Sequence, residues 1–83
     1  MALKAYILIN TQIGKTSEVA ETLRHMPEVK RLDIIMGPYD IIAEVETEDH
    51  DALSEMVIRK LQSIDYIQHT MTCPVIKMDS GTN

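Results

Sequence analysis

Two repeats alternate along the chain. Leu3 to Asn10 (LKAYILIN) is apolar with a period of two, so Leu3, Ala5, Ile7 and Ile9 share one face while Tyr6 and Leu8 share the other. After the break at Gly14 the period lengthens. Val19, Leu23 and Met26 fall at i, i+4 and i+7, which predicts a helix over Ser17–Met26. Glu18 and Glu21 near its start and Arg24 and His25 near its end suit the helix dipole, and Pro27 stops it. Val29–Met36 (VKRLDIIM) and Ile41–Thr47 (IIAEVET) are predicted strands, joined as a hairpin by Gly37-Pro38-Tyr39-Asp40. Asp49 and Asp51 open a second helix whose apolar stripe is Leu53, Met56, Val57 and Leu61. Ile67–Lys77 is a final strand, at an edge or ending near Pro74, which has no N–H to give to a ladder.

The order βαββαβ, with right-handed crossovers, predicts a ferredoxin-like α+β fold. Its four-stranded antiparallel sheet has order 4-1-3-2, with both helices on one face. Residues 1–78 are read as a single domain and 79–83 as a polar, frayed C-terminal tail. A sheet with one wet face alternates apolar with polar residues. Here Tyr6 to Ile9, Ile34 to Met36 and Ile41 to Ala43 are runs instead. A second apolar face predicts a sheet-to-sheet dimer.

Composition narrows the function. The chain has 83 residues, and its aromatics are three Tyr, with no Phe and no Trp. A small core of Ile, Leu, Val and Met is marginal on its own, which again favours an interface. The formal charge of -5 disfavours a nucleic-acid backbone as main partner. No apolar run nears the roughly 18 residues of a membrane span. The start of the chain lacks a signal-peptide pattern, and one cysteine allows no internal disulfide, so the expected location is the cytoplasm.

Several motifs do not carry the chemistry they hint at. Gly14-Lys15-Thr16 resembles the end of a phosphate loop, but the first glycine of that pattern would fall at Ile9. Asp49-His50-Asp51 lacks an oxygen ligand at Leu53 and reads as helix capping rather than a calcium loop. Three histidines and Cys73 form no zinc spacing, so no metal, cofactor or catalytic residue is expected. Cys73 is expected to be a small buried hydrophobe. His69 is expected to face inward with a partner, or to lie near a pocket. Sheets of this topology that bind RNA stack bases on central-strand aromatics, and the third strand here offers none.

The distinctive segment is Gly37-Pro38-Tyr39-Asp40 between two apolar strands. With Asp49, Leu53, Leu61 and the terminal Ile67-Gln68-His69-Thr70-Met71-Thr72, the chain from Leu3 to Lys77 resembles the effector-binding (RAM) domain of Lrp/AsnC leucine-responsive regulators. The family pattern is a strand, G-x-Y-D, a strand, a helix opened by Asp, and a last strand with T-x-T. Pro38 stiffens the loop and removes an N–H donor. Nothing precedes Leu3 that would make a DNA-reading domain, so the expectation is a stand-alone effector domain that does not bind DNA itself.

The resemblance implies a free amino acid as ligand. It also implies a homodimer assembling into an octamer or similar ring, and a full-length Lrp/AsnC regulator as a partner. The ligand carboxylate needs N–H or hydroxyl donors, which the Gly37 and Tyr39 amides with Thr70 and Thr72 can supply. The ammonium needs a carboxylate, for which Asp40 is the candidate. Gln68 shares strand parity with Thr70 and Thr72. Met36 and Tyr39 would sort the ligand side chain. The expected site is thus Met36, Gly37, Pro38, Tyr39, Asp40, Gln68, Thr70 and Thr72. Spacing alone leaves the alternatives of an ordinary hairpin turn and ordinary edge-strand threonines. Two other functions also stay open: a small dimeric enzyme using His69, and an ACT-type module with its ligand at Thr11-Gln12-Ile13-Gly14.

Overall fold

The protein is described over residues 2–76 by a computed structural model. The elements are β1 (Leu3–Thr11), α1 (Thr16–Arg24), β2 (Val29–Ile34), β3 (Ile41–Thr47), α2 (His50–Glu55) and β4 (Ile67–Pro74). A π-helical segment over Met56–Leu61 continues α2. The strands form one antiparallel sheet in the order β2-β3-β1-β4, which is 4-1-3-2 read from the other edge. The ferredoxin-like reading of the sequence therefore holds.

The core lies on one face of the sheet. Ala5, Ile7 and Ile9 of β1 and Ile41, Ala43 and Val45 of β3 are buried. Val19, Ala20 and Leu23 of α1 and Leu53, Met56 and Leu61 of the second helical segment close over them in a single cluster. Burying one such Leu, Ile or Val side chain is worth about 1.5–3 kcal/mol, so these alternating positions fix the register of both central strands. Asp49 caps α2: its Oδ1 accepts the Ala52 N–H at 2.8 Å, as capping rather than metal binding requires.

The open face is mixed. Tyr6 and Leu8 of β1 and Ile42 of β3 are half-buried there. Glu44 lies among them and draws Lys4 to 3.8 Å and Arg31 to 3.6 Å. Part of the apolar run at the end of the second strand is not on the sheet at all. β2 stops at Ile34, and Ile35 and Met36 are exposed in the hairpin loop. Ile35 still donates its N–H across the hairpin to Asp40 O, and the loop turns beyond it at Gly37, whose φ of +150° is a conformation that side chains with a Cβ rarely adopt.

α1 ends at Arg24 rather than Met26. His25 and Met26 instead donate to the carbonyls of Thr22 and Leu23, a tighter final turn before Pro27. β4 ends at Pro74 on the outer edge of the sheet, and the next amide, Val75 N–H, returns to Lys4 O at 2.8 Å. The expected continuation to Lys77 and the tail 79–83 lie outside the described residues.

One residue of β4 is unpaired. Asn10 faces His69 while Thr11 faces Ile67, which leaves Gln68 as a bulge. The bulge turns Ile67 onto the core, although its parity matches His69 and Met71. His69 pairs with Asn10 and is exposed, not inward-facing. Cys73 pairs with Tyr6 on the open face and is exposed rather than buried. Neither residue follows the core face, because the helices cover only the opposite side of β4.

Candidate functional site

The candidate site is built where β1 ends beside the β2–β3 hairpin. Three segments meet there, and polar groups tie them together. The Asp40 N–H donates to Ile9 O at 2.9 Å, and the Ile35 N–H donates to Asp40 O at 2.8 Å, which closes the hairpin. The Asn10 Nδ2 donates to Pro38 O at 2.8 Å. Pro38 lacks an N–H but presents its carbonyl to this clamp. Tyr39 reaches across to β4, its hydroxyl 4.0 Å from Met71 Sδ.

The Asp40 carboxylate does two different things with its two oxygens. Oδ2 accepts the Thr11 N–H at 2.8 Å, and the Thr11 hydroxyl stands 3.4 Å away. That hydroxyl is in turn 2.7 Å from the Thr16 hydroxyl at the start of α1. Oδ1 accepts no hydrogen bond among the described residues. Among the described residues the one buried side-chain oxygen without a partner is Glu28 Oε1, not Asp40 Oδ1. A carboxylate held by one oxygen is oriented before anything binds, and orientation lowers the cost of binding a cation.

The other residues expected at the site divide between two sides of the sheet. Met36 is fully exposed at the loop tip. Thr70 and Thr72 pair with Ile9 and Ile7 and so share the helix-covered face, whereas Met71, which Tyr39 reaches, is on the open face. Thr72 lines a groove of about 280 Å³ with His50, Leu53, Ser54, Val57, Ile58 and Pro74. Gln68, the bulge residue, is exposed. The chain therefore brings Gly37, Pro38, Tyr39 and Asp40 together and sets Thr70 and Thr72 apart from them. β1 lies between β4 and β3, which separates the two sets by two strand spacings, roughly 10 Å.

Four residues of this cluster were not among the expected site: Asn10, Thr11, Thr16 and Met71. For Thr11 the sequence does hold a signal. It continues the buried parity of Ala5, Ile7 and Ile9, so its hydroxyl had to find a partner. Its nearer partner, Thr16, is five residues on, and the second, Asp40, is 29 residues away and not readable from spacing.

Among the described residues no helix is long and apolar enough to cross a membrane. An uncharacterized HTH-type transcriptional regulator of Pyrococcus abyssi is 35% identical over 68 residues, which cover 82% of this chain and 43% of the regulator. The chain thus spans less than half the length of that relative. The crystal structure of a hypothetical protein from Pyrococcus horikoshii superposes with a TM-score of 0.85 at 36% identity, covering 100% of this chain and 99% of that one. A transcriptional regulator of Neisseria meningitidis, solved as an L-Met complex, superposes with a TM-score of 0.83 at 26% identity, over 96% of this chain and 53% of that one. The sequence pattern of the Lrp/AsnC ligand binding domain matches residues 4–80, and with these relatives it shows that the chain belongs to the Lrp/AsnC ligand-binding domain family.

Proposed function

We propose that this domain senses a free amino acid and passes its occupancy on through assembly, modulating transcriptional regulation of amino-acid metabolism in the cytoplasm without binding DNA itself. The observation that carries the reading is the half-engaged Asp40. Its Oδ2 is fixed by the Thr11 N–H while its Oδ1 accepts no hydrogen bond among the described residues, as suits the recognition of an ammonium group. The Gly37 and Tyr39 amides of the same loop are the donors for the ligand carboxylate, and Met36 and Tyr39 contact its side chain. A similar regulator was solved with L-Met, which supports an amino acid as the ligand class.

The binding unit spans residues 1–78. Its open face, with Tyr6, Leu8, Ile42 and Met71, is the surface for a sheet-to-sheet homodimer, and dimers build an octamer or similar ring. Gln68, Thr70 and Thr72 complete the site where a neighbouring subunit approaches. A full-length Lrp/AsnC regulator is the partner that reads DNA.

A thermal-shift screen against the standard L-amino acids at millimolar concentration tests this. At least one amino acid should raise the melting temperature, since a ligand at 100 times its Kd adds about 2.7 kcal/mol. Asp40→Asn keeps an oxygen for the Thr11 N–H but loses the charge. It should melt like the wild type without ligand and lose the shift. No response to any amino acid would sink the reading, and light scattering that finds a strict monomer would remove the assembly step.

A further inference from the structure

Thr11 poses a physical question. It sits on the core face of β1, 6% exposed, in line with Ala5, Ile7 and Ile9. Valine has the same shape and the same β-branched preference for a strand, and it carries no hydroxyl that must be desolvated. The fold alone gives no reason for a hydroxyl at this place. What the hydroxyl touches is the Thr16 hydroxyl at 2.7 Å and Asp40 Oδ2 at 3.4 Å.

We propose, resting on the reading of Asp40 as the ammonium partner, that Thr11 and Thr16 form a positioning pair that fixes which oxygen of Asp40 faces the ligand. An ionised carboxylate only accepts. The hydroxyl protons therefore have one ordering that serves all three groups: Thr16 donates to Thr11, and Thr11 donates to Asp40. Oδ2 then collects the Thr11 N–H and the Thr11 O–H, and Oδ1 is left for the ligand. The 3.4 Å contact is longer than a strong O–H···O bond. It shortens as Oδ1 engages an ammonium group, in the way that site hydrogen bonds tighten in complexes. The pair also joins the ligand loop to the first turn of α1, so the site and the helix layer share one hydrogen-bonded chain.

The test uses the full chain and two probes: the L-amino acid that gives the largest thermal shift, and the α-hydroxy acid bearing the same side chain. The hydroxy acid lacks the ammonium and does not depend on the orientation of Asp40. Thr11→Val should melt at or above the wild-type temperature, because it fills the core without a buried hydroxyl. It should bind the amino acid about tenfold more weakly, a loss of about 1.4 kcal/mol, and bind the hydroxy acid within about twofold of the wild type, on the same scale. Thr11→Ser should recover most of the amino-acid affinity. Thr16→Val, a second variant should Thr11→Val fold poorly, should lose affinity in the same direction.

Unchanged amino-acid affinity in both valine variants overturns the proposal while leaving the reading of Asp40 standing. Equal weakening of both probes overturns it too, because that marks a loosened loop rather than a misplaced carboxylate. A wild-type chain that binds no amino acid removes the reading of Asp40, and the pair falls with it.

Discussion

β3 is bracketed by two aspartates that make the same bond for different ends. At its close, Asp49 accepts the N–H of Ala52, three residues on, at 2.8 Å. At its start, Asp40 accepts the N–H of Thr11, 29 residues back, also at 2.8 Å. The first bond finishes a helix whose donors are orphaned wherever that helix forms. The second fastens a loop to the end of β1, a strand that neighbours β3 only in the folded sheet, and nothing in local backbone chemistry calls for it. An interaction that local structure does not require, placed on an exposed loop, is the better mark of a site.

The comparison is broken or sharpened by measuring each aspartate in turn. Asp40→Ala strands the buried Thr11 N–H and removes an acceptor from the Thr11 hydroxyl, so urea denaturation should show a loss of about 2–3 kcal/mol. Asp49→Ala removes a cap whose donor is otherwise exposed to water, and the same measurement should give about 1 kcal/mol. If Asp49→Ala costs more than Asp40→Ala, the ranking of the two fails.

A third carboxylate sharpens the contrast because it holds a side chain and not a backbone amide. Glu28 Oε2 lies 2.6 Å from Lys60 Nζ, and that bond holds the Glu28 carboxyl below its ordinary value. The folded state thus prefers the ionised form. Its contribution is complete above the unfolded value near 4.3 and is lost as pH falls through the lower folded value. The expected size is about 0.5 kcal/mol, as for a partly exposed pair. Unfolding followed from pH 7 to pH 3 should show this increment in the wild type and not in Glu28→Gln.

The fold was legible because period, caps and breakers agree for nearly every element. Ala5, Ile7 and Ile9 alternate strictly, Val19 and Leu23 share a helix stripe, and Pro27 and Pro74 stop what they follow. The errors sit where tertiary geometry overrules the local pattern. Ile35 and Met36 read as strand, yet β2 stops at Ile34 and the loop turns at Gly37. His69 and Cys73 read as inward-facing, yet they lie on the uncovered side of β4. The π-helical segment over Met56–Leu61 left no periodic mark, since Leu53, Met56 and Leu61 suit an α-helical stripe equally well. Of the site, the segment Gly37–Asp40 was legible through the family resemblance and its turn residues. Asn10, Thr11 and Thr16 were not, because their contacts depend on which strands become neighbours.

The bulge at Gln68 makes β4 one residue longer than its pairing with β1 requires. Delete that one residue and Ile67 becomes the direct neighbour of His69, so plain alternation keeps Ile67 on the core face and His69 and Met71 on the open face, with every pairing to β1 unchanged. Substitution and removal of Gln68 both leave the faces of β4 as they are, whereas a deletion between His69 and Met71 would change the face of His69 or of the residues that follow it. Related chains should therefore drift freely in the identity of this residue, and those that lack it should keep the same faces of β4. A gap at this point in a sequence alignment would announce a regular ladder in place of the bulge, with the same side chains inside and out.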